Sequence, residues 1–114
     1  MDIRERAVDG VTVLDLSGKI VLGEGEVHIR DRIKDLLADG QKRILLNLAD
    51  VSYIDSAGLG TLISSYATVK RSQGQLKLVN LTNRVRDVLA ITKLITVFDT
   101  YDSEADALAS FKTA

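Results

Sequence analysis

Arg43-Ile44-Leu45-Leu46-Asn47-Leu48-Ala49-Asp50-Val51-Ser52-Tyr53-Ile54-Asp55-Ser56-Ala57-Gly58-Leu59-Gly60 is the stretch on which the fold turns. Ile44 to Leu48 is a short, nearly continuous apolar run. Such a run suits a strand covered on both faces, as in a parallel sheet. Ala49 to Ile54 reads as a connecting loop. Asp55 and Ser56 are helix-cap residues. Leu59, Leu62, Ile63, Tyr66 and Val69 then recur at helical spacing, so a helix follows and fades near Ser72-Gln73-Gly74. Strand, junction and helix in this order make one half of a βαβ unit.

Upstream, Ile3 to Val8 and Val11 to Ser17 are strand candidates. Asp9-Gly10 between them is a hairpin signal, because both residues tolerate positive φ. Gly18 to Gly25 reads as a glycine-rich loop. Ile29, Ile33, Leu36 and Leu37 form one apolar stripe of a helix that runs to about Asp39, where Gly40 stops it. Downstream, Leu76 to Asn80 is a strand. Thr82 or Asn83 caps a short helix bearing Val85, Val88 and Leu89, and Thr96 to Asp99 is the last strand. Ser103 caps a final helix with Ala105, Leu108, Ala109 and Phe111 on its apolar side. The pattern predicts an α/β fold: a mixed, mostly parallel sheet of about five strands that starts with a β-hairpin, with about four helices. A single domain over residues 1–114 is expected.

Composition narrows the function. The 114 residues include 15 Lys+Arg, 16 Asp+Glu, one His and no Cys, for a net charge of −1. Without Cys there is no disulfide framework, thiol nucleophile or Cys-ligated metal. His28 cannot build a multi-histidine site and reads as a surface residue. The near-neutral charge leaves no electrostatic footprint for nucleic acid, so no nucleic-acid partner is expected. No apolar run approaches the roughly 20 residues of a membrane span, and Met1 to Arg6 lacks the apolar stretch of a signal peptide, so none is expected. No membrane association is expected, and the cytoplasm is the expected compartment. Gly58-Leu59-Gly60 and Gly23-Glu24-Gly25 lack the remainder of a dinucleotide fingerprint or a P-loop. No catalytic residue, metal or cofactor is expected.

The remaining chemistry concentrates at Asp55 to Gly60. A strand-to-helix junction gathers free backbone N–H groups at the positive end of the helix dipole, which favours an anion. A phosphate on Ser56 would sit there and could accept hydrogen bonds from those groups. The plainer reading is that Asp55 or Ser56 is only an N-cap and the glycines only allow tight packing. Two glycines in the first helical turns cost roughly 0.5–1 kcal/mol each relative to Ala, which a plain helix start would avoid.

Asp55-Ser56-Ala57-Gly58-Leu59-Gly60 resembles the signature of the STAS domain family, in its bacterial anti-sigma factor antagonist branch. Leu16-Ser17-Gly18-Lys19-Ile20, Ile44 to Leu48, Asp50 to Ile54, Gly74-Gln75-Leu76-Lys77-Leu78 and Ile91-Thr92-Lys93-Leu94 also match that family's pattern in order and spacing. The resemblance implies a partner-switching regulator. The unphosphorylated domain would bind an anti-sigma factor, which commonly is also a serine kinase. Phosphorylation at Ser56 would release it, and a serine phosphatase would reset it. By position, Ser56 is the phosphoacceptor and Asp55 its acidic neighbour. The implied partner-binding residues are Asp55, Ser56, Ala57, Gly58, Leu59, Gly60, Val21, Gly23 and Glu24, and the implied state is a monomer or weak dimer.

One position departs from the family pattern. Many members carry an Asp, associated with kinase recognition, where this chain has Val21. Glu24 and Glu26 are the nearby acids that could stand in for it. The departure motivates an alternative: the same fold as a non-switching adaptor or scaffold in a signalling or transport complex.

Overall fold

The computed structural model describes residues 1–112. Strands β1 (Asp2–Val8) and β2 (Val11–Ile20) form a hairpin. Asp9 and Gly10 turn it with φ of 52° and 79°, the positive values an Asp-Gly turn requires. Then follow α1 (Glu24–Ala38), β3 (Arg43–Ile54), α2 (Ser56–Arg71), β4 (Gln75–Val79), α3 (Asn83–Ile91), a 3-10 turn at Leu94–Thr96, β5 (Asp99–Tyr101) and α4 (Glu104–Ser110). The sheet order is β1-β2-β3-β4-β5, antiparallel in the hairpin and parallel thereafter. The expected class and sheet are therefore the observed ones.

Strand order explains where the helices lie. The parallel strands advance in one direction, so right-handed crossovers put α1, α2 and α3 on one face. Their apolar stripes meet Leu14, Leu16, Ile44, Leu46, Leu48, Leu76 and Leu78 there. The alternate residues Val11, Val13, Leu45 and Val79 point to the other face, where α4 covers them with Ala107, Leu108 and Phe111. Burial on both faces is what the Ile44–Leu48 run signalled.

Three local expectations need correction. β2 continues through Gly18 and Lys19 to Ile20, where a loop was expected. β3 continues through Ala49 to Ile54, also expected as a loop. The pairs Asp15↔Asn47, Ser17↔Asp50, Gly18↔Val51 and Lys19↔Tyr53 show that β3 twice carries an extra residue against β2. Each bulge breaks the period-two alternation that marks a strand, and Val51 and Ile54 reach the same core three positions apart. The last strand is Asp99–Tyr101, not Thr96–Asp99. The segment before it coils so that Phe98 enters the core, edge-on to Tyr66 at 5.4 Å between ring centroids.

Beyond α4 the second sheet face is polar. Arg6 on β1 clasps Asp15 through Nε and Nη2 and also reaches Glu104. Asn47 donates to Asp15 at 2.8 Å, and Asn80 donates to Asn47 at 3.2 Å. The Arg6 hydrogen bonds hold the Asp15 carboxyl below the usual carboxylate range, with help from Asn47 and against partial burial. A carboxyl depressed by folding adds stability that is complete above about pH 4 and is lost as pH falls through its folded value. Asp15→Asn should therefore lower stability by about 1–2 kcal/mol at neutral pH. In urea titrations the gap to wild type should close as the pH drops below about 3. A gap that does not change with pH would contradict this assignment.

Candidate functional site

The parallel strands β2 and β3 end side by side at Ile20 and Ile54. The connections that leave them, β2–α1 and β3–α2, meet at this carboxyl end of the sheet. Asp55 occupies the gap between β3 and α2 in extended geometry, with φ −101° and ψ −177°. It holds four backbone groups. Its own N–H donates to the carbonyl of Ile20 at 3.3 Å, and its carbonyl accepts the N–H of Leu59 at 2.9 Å. Carboxylate Oδ1 accepts the N–H of Gly58 at 2.8 Å, and Oδ2 accepts the N–H of Leu22 at 3.0 Å. One oxygen caps the helix and the other holds the β2–α1 loop. Hydrogen bonding from Gly58, then Leu22, keeps the Asp55 carboxyl below the usual carboxylate range, so it is ionised at neutral pH.

Asp55 is thus the cap, and Ser56 is the first helical residue, with its side chain exposed. This refines the expected anion site. The Gly58 N–H is already taken by Asp55, so a phosphate on Ser56 would share the helix start with a resident carboxylate.

The two glycines have different reasons. A Cβ on Gly58 would lie 2.0 Å from the carbonyl oxygen of Ile20 and 2.8 Å from Ile20 Cγ2. The first turn of α2 rests directly on the end of β2, and only hydrogen fits. A Cβ on Gly60 would meet nothing within 4 Å. Gly60 is exposed, four residues after Ser56 and on the same helix face. Among the described residues nothing requires a glycine there.

The loop from Val21 to Gly23 stands beside this junction. The Val21 carbonyl accepts the N–H of Glu26 at 3.1 Å, and the Gly23 carbonyl accepts the N–H of Val27 at 3.1 Å. Of the two acids nearby, Glu24 is exposed. Glu26 is engaged by Arg30 and by Thr61 on α2, each at 3.0 Å, and so ties the two helices together. His28 is half-buried on α1. Leu22, absent from the sequence-derived set, is 75% exposed. Tyr53, two residues before Asp55, carries the Arg84 guanidinium over its ring at 4.9 Å. An apolar residue between Val21 and a glycine was the available sequence signal for Leu22; the Tyr53–Arg84 stack had none.

A concavity of about 660 Å³ lies elsewhere, against Arg6, Asp15 and Asn47 on the α4 side of the sheet. Its polar floor is already paired within the chain. Among the described residues no cluster of His, Cys, Asp and Glu is arranged to hold a metal ion. Among them, too, no helix is long and apolar enough to cross a membrane.

A family model described as the STAS domain matches residues 2–107. The chain is 30% identical over 107 residues to BtrV of Bordetella bronchiseptica, covering 94% of this chain and 91% of that one. It is 35% identical over 83 residues to the anti-sigma-B factor antagonist of Bacillus subtilis, covering 69% and 75%. The crystal structure of TM1081 from Thermotoga maritima superposes with a TM-score of 0.89 at 27% identity, covering 96% of this chain and 94% of that one.

Proposed function

The chain belongs to the STAS domain family, and from that premise we propose that it is an anti-sigma factor antagonist switched by phosphorylation of Ser56. Unphosphorylated, it binds and sequesters an anti-sigma factor. That factor, acting as a serine kinase, phosphorylates Ser56 and is released, and a serine phosphatase restores the binding form. Its partner face comprises Asp55 to Gly60 with Val21, Gly23 and Glu24. It works in the cytoplasm as a monomer or weak dimer, and it is the substrate of a kinase rather than an enzyme.

The observation that carries this reading is the exposed Ser56 at the first position of α2, beside an ionised Asp55. A phosphate there brings roughly −1.5 to −2 charges next to an existing carboxylate. A partner that buries this junction must then desolvate both, at several kcal/mol for an unpaired ion. Release needs no rearrangement of the fold. The names of the relatives support the same role.

The test uses purified anti-sigma factor homologues from the source organism, each mixed with the chain with and without ATP. At least one should bind without ATP, and with ATP it should add a single phosphate that peptide mapping places on Ser56. A binder that adds no phosphate supports the second reading, a non-switching adaptor, which Val21 favours. Absence of any binder contradicts the antagonist role.

A further inference from the structure

We propose that Leu22 is the apolar anchor of the partner interface, and that the second oxygen of Asp55 is the positioning group that presents it. The inference rests on the antagonist reading. It adds a pocket on the anti-sigma factor: an apolar cavity that takes the Leu22 side chain.

Exposure alone would say little, since single apolar residues on a surface are common. Leu22 differs because its backbone is fastened. Its N–H is held by Asp55 Oδ2 from across the junction. Its neighbours Val21 and Gly23 each give a carbonyl to the first turn of α1. A loop of three residues so tied displays its side chain on a fixed frame. A partner taking Leu22 therefore spends little on ordering the segment, and that saving appears as affinity. A few residues that fill well-packed, desolvated pockets near the centre of an interface carry most of its binding energy.

Position points the same way. The residue that fastens Leu22 directly precedes Ser56, so Leu22 and Ser56 belong to the same junction. Ile91 is exposed to a similar degree, 82% against 75%. It ends α3 and has no such fastening to the junction, which makes it the natural control.

The arrangement also splits the work of Asp55. Oδ1 serves the helix and Oδ2 serves the loop. Asp55→Asn retains one oxygen for the Gly58 N–H but turns an amide, a donor, toward the Leu22 N–H. The helix cap survives and the loop fastening is lost.

The experiment measures dissociation constants by calorimetry against the anti-sigma factor that binds the wild-type chain. Leu22→Ala should weaken binding on the order of tenfold or more. Ile91→Ala should leave it unchanged, and thermal unfolding should report both variants as folded. Asp55→Asn should weaken binding several-fold in the wild-type background and by a clearly smaller factor in the Leu22→Ala background, the non-additivity expected when one residue acts in part through the other. Hydrogen exchange at the Leu22 amide should be at least about tenfold slower in wild type than in Asp55→Asn. Wild-type affinity in Leu22→Ala overturns the anchor while leaving the antagonist role standing. Additive losses, or equal exchange rates, overturn the positioning role of Asp55. Failure of the wild-type chain to bind any anti-sigma factor overturns the antagonist role, and the anchor with it.

Discussion

Ser56→Asp should weaken binding to the anti-sigma factor by about 100-fold or more, whereas Ser56→Ala should change it less than about threefold. The expectation follows from where the charge sits. Ser56 opens α2, where the helix dipole tolerates an anion to the extent of about 0.3–1 kcal/mol. The substitution therefore does not unfold the protein, and circular dichroism and thermal melts of the two variants should stay close. Asp55 at the same junction is already ionised. A partner that covers Ser56 must then strip water from a second carboxylate as well. An uncompensated buried charge costs about 3–5 kcal/mol, and each 1.4 kcal/mol is a factor of ten. Loss of the Ser56 hydroxyl removes no charge and, at an exposed position, leaves no buried group unpaired. Equal affinities for the two variants would remove the electrostatic basis of the switch.

Gly58→Ala and Gly60→Ala should move stability in opposite directions. At Gly58 the new methyl would meet the Ile20 carbonyl at 2.0 Å. That oxygen belongs to backbone and cannot rotate aside, so α2 must lift from the end of β2. The displacement would also disturb the hydrogen bonds of Asp55 to Ile20, Leu22 and Gly58. Overpacking of this kind costs about 1–3 kcal/mol, and the contact with backbone places it at or above the upper end. The gain of about 1 kcal/mol in helix propensity cannot offset it. For a domain of about this size the melting temperature should fall by about 10 °C. At Gly60 the methyl enters open space, and the same propensity gain of about 0.5–1 kcal/mol should appear as a higher melting temperature. Affinity for the partner should nonetheless fall in Gly60→Ala, because the clearance beside Ser56 is then filled. A stabilised variant with weakened binding would show that this glycine serves the interface rather than the fold. Unchanged binding would remove Gly60 from the partner face.

Much of this architecture was legible in the residues because local signals and tertiary demands agree. Asp9-Gly10 turns a hairpin, Thr82 and Ser103 cap α3 and α4, and Ile44 to Leu48 is apolar on successive positions because both sheet faces are covered. Legibility failed where the tertiary structure overrides the pattern. The two bulges in β3 disguise Ala49 to Ile54 as a loop. β5 is only three residues long and is placed by its pairing with Lys77, Leu78 and Val79. Phe98, which looked like a strand residue, instead plugs the core. At the site, the cap role of Asp55 could be read from its place before a helix, but its bond to Leu22 spans 33 residues. Only the parallel pairing of β2 with β3, which sets Ile20 against Ile54, brings those two groups together. Likewise the motif shows two glycines alike, and only the packing separates the one that β2 demands from the one that nothing among the described residues demands.

The most direct test of the central claim is a pair of affinities for one anti-sigma factor: the unmodified chain, and the same chain carrying a stoichiometric phosphate at Ser56, both by titration calorimetry at physiological salt. The phosphate carries more charge than the Asp substitute, so the account predicts a loss of at least 100-fold, about 2.7 kcal/mol or more. Affinities within about threefold of each other, with Ser56 confirmed as fully phosphorylated, would contradict it.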